Sequence, residues 1–196
     1  MPLVIETSTV QGLTDGELFE QLRRGSSGAF TQLYHRYKHK LYAYCYRMVG
    51  NAESTEDVVQ ETFLKIHRGI QSVKQPQHFR TWIFSVARNE ALTHLRRTRH
   101  LEDLEGEAET VWDHNDPLEQ LAERETTEFI QHYLGLLQPY YRELLVLREY
   151  EQLSYAEIAE ITGITENAVK SALFKARKAL AEKLEPILGS RKSDHE

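Results

Sequence analysis

The chain has 196 residues, 40% hydrophobic and 28% charged, a length that suits two small domains and a composition able to build cores. Its single cysteine, Cys45, excludes an intrachain disulfide framework and any multi-cysteine zinc or iron–sulfur centre, and no apolar run approaches the roughly 18 residues of a bilayer span. The net charge of −6 hides segregation: residues 13–100 carry fourteen Lys and Arg against eight Asp and Glu, residues 101–128 one against eleven, and residues 129–188 seven against eight. That is a basic half, an acidic tether and a near-neutral third. An acidic average therefore does not exclude nucleic acid. The start, MPLVIETSTVQGL, lacks the basic stretch of a secretory signal, so a reducing, cytoplasmic setting without membrane insertion is expected.

Ten Gly and five Pro are few for this length and favour long helices with short connections. Thr14 and Asp15 precede Leu18, Phe19 and Leu22, an acceptable helix start. Gly25 and Gly28 are expected to bracket a turn. Phe30, Leu33, Tyr34, Tyr37, Leu41, Tyr44, Cys45 and Met48 then recur at three- and four-residue steps, which predicts one apolar helical face ended by Gly50 and Asn51. Cys45, on that face, is expected to be buried and inert. Val58, Val59, Phe63, Ile66 and Ile70 mark the next helix, and Phe79, Trp82, Ile83, Val86, Ala87, Leu92 and Leu95 another. Residues 101–117, LEDLEGEAETVWDHNDP, have no sustained period and read as an acidic linker; a plain solvated spacer and a functional tether both fit it. Leu118, Leu121, Phe129, Ile130, Tyr133 and Leu137 restart the helical period, and Pro139 opens a helix containing Leu144, Leu145 and Leu147. No alternating pattern is long enough for a strand. The predicted fold is all-α: an N-terminal helical domain over 14–100, a linker over 101–117 and a C-terminal domain over 118–188.

The most informative segment is LSYAEIAEITGITENAVKSALFKARKAL, residues 153–180. Ser154 and Glu157 form a capping box, Ile158, Ala159 and Ile161 face inward, and Gly163 suits a tight turn needing positive φ. Thr165 caps a second helix whose buried stripe is Val169, Leu173, Ala176, Leu180 and Leu184. This is a helix-turn-helix. Its exposed side carries Asn167, Lys170, Ser171, Phe174, Lys175, Arg177 and Lys178, which suits major-groove entry, although lysines there also suit phosphates alone. In HFRTWIFSVARNEALTHLRRTRH, residues 78–100, five arginines interleave with Phe79, Trp82 and Phe84 against the one acid Glu90. Basic charge with aromatics is the composition of a surface that grips a backbone and stacks on bases, although some of these aromatics also fit a core. Glu56, Asp57, Gln60, Glu61 and Lys65 share a polar face that residue chemistry alone reads as solvated. His35 and His39 lie four apart without a third ligand or an HExxH pattern, so no metal or other cofactor is expected. No phosphate loop or GxSxG is present, and no enzyme is expected.

The blocks EDVVQETFLKIH, FRTWIFSVARNEALTHLRR and the terminal helix-turn-helix, in that order around an acidic linker, resemble the extracytoplasmic-function sigma factors of bacterial RNA polymerase. The resemblance covers about Thr14 to Leu188. It implies binding to core polymerase, through its β′ and β subunits, and promoter-specific initiation on double-stranded and melted DNA. Asp57, Gln60, Glu61 and Phe63 become polymerase contacts, overriding the solvated reading. Val73, Lys74, Gln75, His78, Arg80, Trp82, Arg88 and Asn89 become the −10 reading and melting surface. Lys170, Ser171, Phe174, Lys175 and Arg177 become the −35 readers. An anti-sigma factor is an implied further partner, and without an HxxxCxxC motif the chain resembles the sigma factor and not its zinc-binding antagonist. The main rival is a stand-alone helix-turn-helix regulator not tied to polymerase.

Overall fold

The computed structural model describes residues 12–73, 75–105 and 129–190, and these are helices and short connections with no strand. Four helices form the N-terminal unit: α1 (Asp15–Arg23), α2 (Ser27–Val49), α3 (Ala52–Gly69) and α4 (Phe79–Glu105). Thr14 caps α1, its Oγ1 accepting from the Glu17 N–H while the Glu17 carboxylate accepts from the Thr14 N–H, 2.7 Å. Gly25 turns the chain at φ +89°, but Gly28 lies inside α2, because Ser26 and not Gly28 supplies the cap, accepting from the Ala29 N–H. Gly50, at φ +99°, closes α2 in the left-handed region, and Asn51 at once caps α3. Two short 3₁₀ turns, Ile70–Ser72 and Pro76–His78, join α3 to α4.

The predicted apolar stripes close this unit. Leu18, Phe19, Leu41, Tyr44, Met48, Phe79, Ile83 and Phe84 are essentially inaccessible. Burying a side chain of this size contributes about 1.5–3 kcal/mol each, so the bundle is held by these contacts rather than by helix propensity. Cys45 is fully buried in the same core, and burial, with a smaller contribution from Glu151, pushes its thiol far up. Thiol titration with an aromatic disulfide should therefore report no reactive cysteine in native buffer and one in denaturant. Full reaction in native buffer would contradict this packing.

The C-terminal unit comprises α5 (helical over 129–135), α6 (Pro139–Leu145), α7 (Tyr155–Thr162) and α8 (Glu166–Ser190). A π-helical turn, Val146–Tyr150, extends α6. Ser154 and Glu157 make the expected capping box, Gly163 takes φ +74° between α7 and α8, and the Thr165 hydroxyl accepts from the Ala168 N–H at 3.2 Å. Ile158, Ile161, Val169, Leu173 and Ala176 are buried as expected, with Ala159, Leu180 and Leu184 half-buried.

Helix α4 runs on to Glu105, into the segment read as the acidic linker, whose leucines and glutamates are good helix formers despite the charge. The rest of 101–117, together with Leu118 and Leu121, lies outside the described residues. In α5 the inward residues are Gln131 and Leu134, whereas Phe129 and Ile130 are exposed. The Gln131 amide is satisfied by donating to the Tyr46 carbonyl at 2.9 Å, so a polar side chain occupies a place the apolar period assigned elsewhere.

The two units touch. Helix α7 packs on α4, and α6 and its π turn pack on α2.

Candidate nucleic-acid interface

The recognition helix α8 is anchored by its buried stripe and presents every expected reader to solvent: Lys170, Ser171, Phe174, Lys175 and Arg177 are all exposed, Phe174 at 71%. Phe174 stands out because a bare aromatic gains nothing from water. Arg177 is not idle; its guanidinium donates to Glu149 Oε1 from Nε at 3.1 Å and from Nη2 at 2.7 Å. That pair is about half exposed on both sides, so a phosphate can exchange for the carboxylate at little cost.

The −10 candidates surround the start of α4. Gln75, His78 and Asn89 are exposed, Arg80, Trp82 and Arg88 half-buried, and Val73 is a core residue at 6% exposure; Lys74 lies outside the described residues. Phe79 and Phe84 are core as well, so Trp82 is the aromatic of this block left near the surface. Trp82 rests on Gly69, where an added Cβ would come within 3.1 Å of its ring. A shallow pocket is walled by Val73, Gln75, His78, Trp82 and Ser85, with Glu160 of α7 on its far side. Four of the −10 candidates, Val73, Gln75, His78 and Trp82, thus line one place.

Three −10 candidates, His78, Arg80 and Arg88, are engaged by the C-terminal unit. His78 Nδ1 lies 2.7 Å from Glu160 Oε1, an oxygen that also accepts from Thr81 Oγ1 at 2.8 Å. Arg80 donates to the Glu151 carbonyl at 2.9 Å and stands 3.6 Å from the Glu157 carboxylate. Arg88 makes a tight ion pair with Glu143, whose side chain is 1% exposed. Burial raises the Glu143 carboxyl, and Arg88 opposes that shift.

The polymerase candidates lie on α3. Asp57 and Gln60 are exposed and Glu61 half-buried, while Phe63 is 7% exposed beneath the Tyr34 ring, 4.7 Å away between centroids. Asp57, Glu61 and Lys65 fall on one helical row, fixed at its end by the Lys65–Glu90 pair at 2.6 Å. Beside it runs an apolar groove between α2 and α3, lined by Tyr34, Tyr42, Val59, Gln60, Phe63 and Leu64 among others. Tyr34 is 39% and Leu64 42% exposed. The sequence pattern marks neither: it puts Tyr34 within the core stripe and Leu64 on no stripe. It also missed the acids of α6 and α7, whose partners lie 55 to 82 residues away.

A helix-turn-helix with an open recognition face, joined to a helical unit with an arginine–tryptophan surface, is the architecture of a DNA-binding protein. Residues 33–101 match Sigma-70 region 2 and residues 127–180 match Sigma-70 region 4. The chain is 30% identical over 178 residues to the ECF RNA polymerase sigma factor SigW of Bacillus subtilis, covering 86% of this chain and 95% of that one. It is 32% identical over 184 residues to the RNA polymerase sigma-H factor of Pseudomonas aeruginosa, covering 89% and 95%. Among solved structures it resembles the sigma factor RpoE in complex with the anti-sigma factor NepR from Bartonella quintana, with a TM-score of 0.67, 26% identity, and coverage of 80% of this chain and 96% of that one. The chain belongs to the extracytoplasmic-function sigma factor family. It is thus a non-enzymatic subunit that binds core RNA polymerase and directs promoter-specific initiation.

Proposed function

We propose that the two units divide the promoter between them, with residues 14–100 holding polymerase and the −10 element and residues 118–188 reading the −35 element. In this reading Asp57, Gln60 and Glu61 meet polymerase directly, and Phe63 acts by supporting Tyr34 in the adjoining groove. Gln75, His78, Arg80, Trp82, Arg88 and Asn89 take the melted −10 strand, with Trp82 as the stacking surface and the arginines on the backbone. Val73 shapes that pocket from the core side, and Lys74, the next residue in the chain, belongs to the same −10 set. Lys170, Ser171, Phe174, Lys175 and Arg177 enter the major groove at −35. Each unit alone binds weakly, and polymerase combines them by fixing their spacing.

The observation that carries the reading is the pairing of an open recognition helix with a shallow pocket walled by Trp82, Gln75 and His78. Work beside polymerase supports a cytoplasmic location, and no described helix is long and apolar enough to cross a membrane. The bound partner of the Bartonella relative supports an anti-sigma factor as a second partner.

The test is co-purification with bacterial core polymerase. Wild-type chain should bind stoichiometrically, and Asp57→Ala/Glu61→Ala should weaken binding by about tenfold or more, as loss of two interfacial charges does. Equal retention of both proteins would remove α3 from the contact.

A further inference from the structure

Among the described residues, Arg177 is the one proposed −35 reader held by another side chain. Glu149 Oε1 accepts from its Nε at 3.1 Å and from its Nη2 at 2.7 Å, so one oxygen grips the side edge of the guanidinium. An arginine carries five N–H donors in one plane, and this contact takes two of them. The fork at the far end, with one N–H on Nη1 and one on Nη2, stays free. Lys170, Phe174 and Arg177 occupy positions i, i+4 and i+7 of α8, share one face, and are all exposed.

The π turn sets this contact up. In an unbroken α-helix Glu149 would follow Leu145 and Val146, both buried, onto the core side. The wider turn of Val146–Tyr150, in which the Glu151 N–H donates to the Val146 carbonyl at 3.1 Å, rotates Glu149 off that side, and its side chain is 49% exposed. The chain then reverses at Gln152, in the left-handed region at φ +53°, which residues other than glycine seldom adopt. Arg148 pins the reversal: its guanidinium donates to the Leu153 carbonyl at 2.7 Å and lies over the Tyr155 ring, 5.0 Å from the centroid. The Glu149 hydrogen bonds, with a smaller contribution from the Tyr155 side chain, raise the Arg177 pKa. A half-exposed ion pair stabilises a fold little, so this support is better explained by what the pair presents to a ligand.

We propose that Glu149 is a positioning residue for −35 recognition: by fixing one edge of Arg177 it aims the free fork into the major groove, where the fork donates to O6 and N7 of one guanine. The proposal rests on the −35 assignment above. Guanine is the base that offers two acceptors side by side in that groove. A phosphate could take the guanidinium only by displacing the carboxylate or by approaching it, because two anions beside one cation repel. A neutral base edge carries no such penalty and leaves the Glu149 contact intact. Holding the side chain before DNA arrives also removes rotamer freedom that binding would otherwise have to remove.

The test uses holoenzyme assembled from full-length chain and bacterial core polymerase, which selects its own promoters from a library of random duplexes under heparin challenge. Sequencing defines the −35 element, and open-complex formation is then compared on duplexes that differ by one base pair within it. Replacing one particular guanine by adenine should cost wild type about tenfold, the discrimination of a bidentate arginine. The same replacement should cost Arg177→Ala less than about twofold. Glu149→Ala should retain only about threefold discrimination at that position and match wild type at every other. Glu149→Gln, whose amide oxygen still accepts from Nε, should recover part of the loss, and circular dichroism should show both surface variants folded. Full discrimination in Glu149→Ala overturns the proposal, as does a loss spread evenly over all positions. So does the lack of any guanine that depends on Arg177, which would leave that side chain on phosphate. Failure of the underlying −35 assignment reads differently: discrimination across the whole element would then survive Lys170→Ala/Phe174→Ala as well.

Discussion

Arg142→Ala should lower the stability of the chain by about 3–5 kcal/mol, read as a shift of the urea midpoint followed by far-ultraviolet circular dichroism. Arg142 is 5% exposed, and its guanidinium does the capping that the α5–α6 turn cannot do for itself. It donates to the Leu134 carbonyl at 2.9 Å, to Gly135 at 2.7 Å, to Leu137 at 3.2 Å, and across to Met48 at the end of α2, at 2.5 Å. At the end of α5 the Leu134 carbonyl accepts from the Leu137 N–H at 3.1 Å as well, and α6 begins with Pro139, which has no N–H to offer. Burial pulls the guanidinium down to about 10, which still leaves it charged at neutral pH. Truncation strands several buried carbonyls together, and that loss outweighs the relief of desolvating one cation. Arg142→Lys keeps the charge but offers one ammonium where a planar fork spans the turn, so it should recover only a minor part. A variant within about 0.5 kcal/mol of wild type would mean that water reaches these carbonyls.

What the sequence disclosed was whatever is written locally. The helix-turn-helix was legible because Ser154 with Glu157, Gly163, Thr165 and the Val169–Leu173–Ala176 stripe all lie within one short segment and agree with one another. The stripes of α2 and α4 were legible for the same reason. The end of α4 was not, because acid content argued for a linker while Leu and Glu argued for helix, and composition alone does not rank the two. Phe129 and Ile130 were misplaced because the inward position belongs to Gln131, whose partner, the Tyr46 carbonyl, is 85 residues away. Of the candidate site, the exposure of the −35 readers follows from helical period. The −10 surface depends on how α3, its 3₁₀ turns and α4 meet, and this is why Val73, read as a surface residue, lies in the core. The acids holding His78, Arg80 and Arg88 had no sequence signal at all. Glu157 announced only its cap, and Glu143 and Glu160 resembled any solvated glutamate until the fold brought them to arginines and a histidine.

Phe79→Ala should cost about 3–5 kcal/mol, whereas Trp82→Ala, three residues on, should cost about 1–2 kcal/mol and yet do more damage to promoter opening. The two rings lie 6.1 Å apart, centroid to centroid, and do different work. Phe79 is wholly buried at the first position of α4, packed 5.3 Å from the Phe19 ring and 6.3 Å from Tyr37. Removing it leaves a cavity where α1, α2 and α4 converge, and the helix start that carries His78 and Arg80 loses its anchor. Trp82 is half-buried, lies across Gly69 and gives its remaining surface to the pocket. Its removal forfeits part of its burial and all of its stacking area. Denaturant unfolding of both variants, with permanganate reactivity of promoter thymines in the presence of core polymerase, separates the roles. Phe79→Ala should lose melting only in proportion to the fraction unfolded, so cooling should restore it. Trp82→Ala should stay folded and bound to polymerase while thymines in the −10 region remain unreactive. Wild-type reactivity in folded Trp82→Ala protein would reduce that ring to packing and move the stacking surface elsewhere on α4.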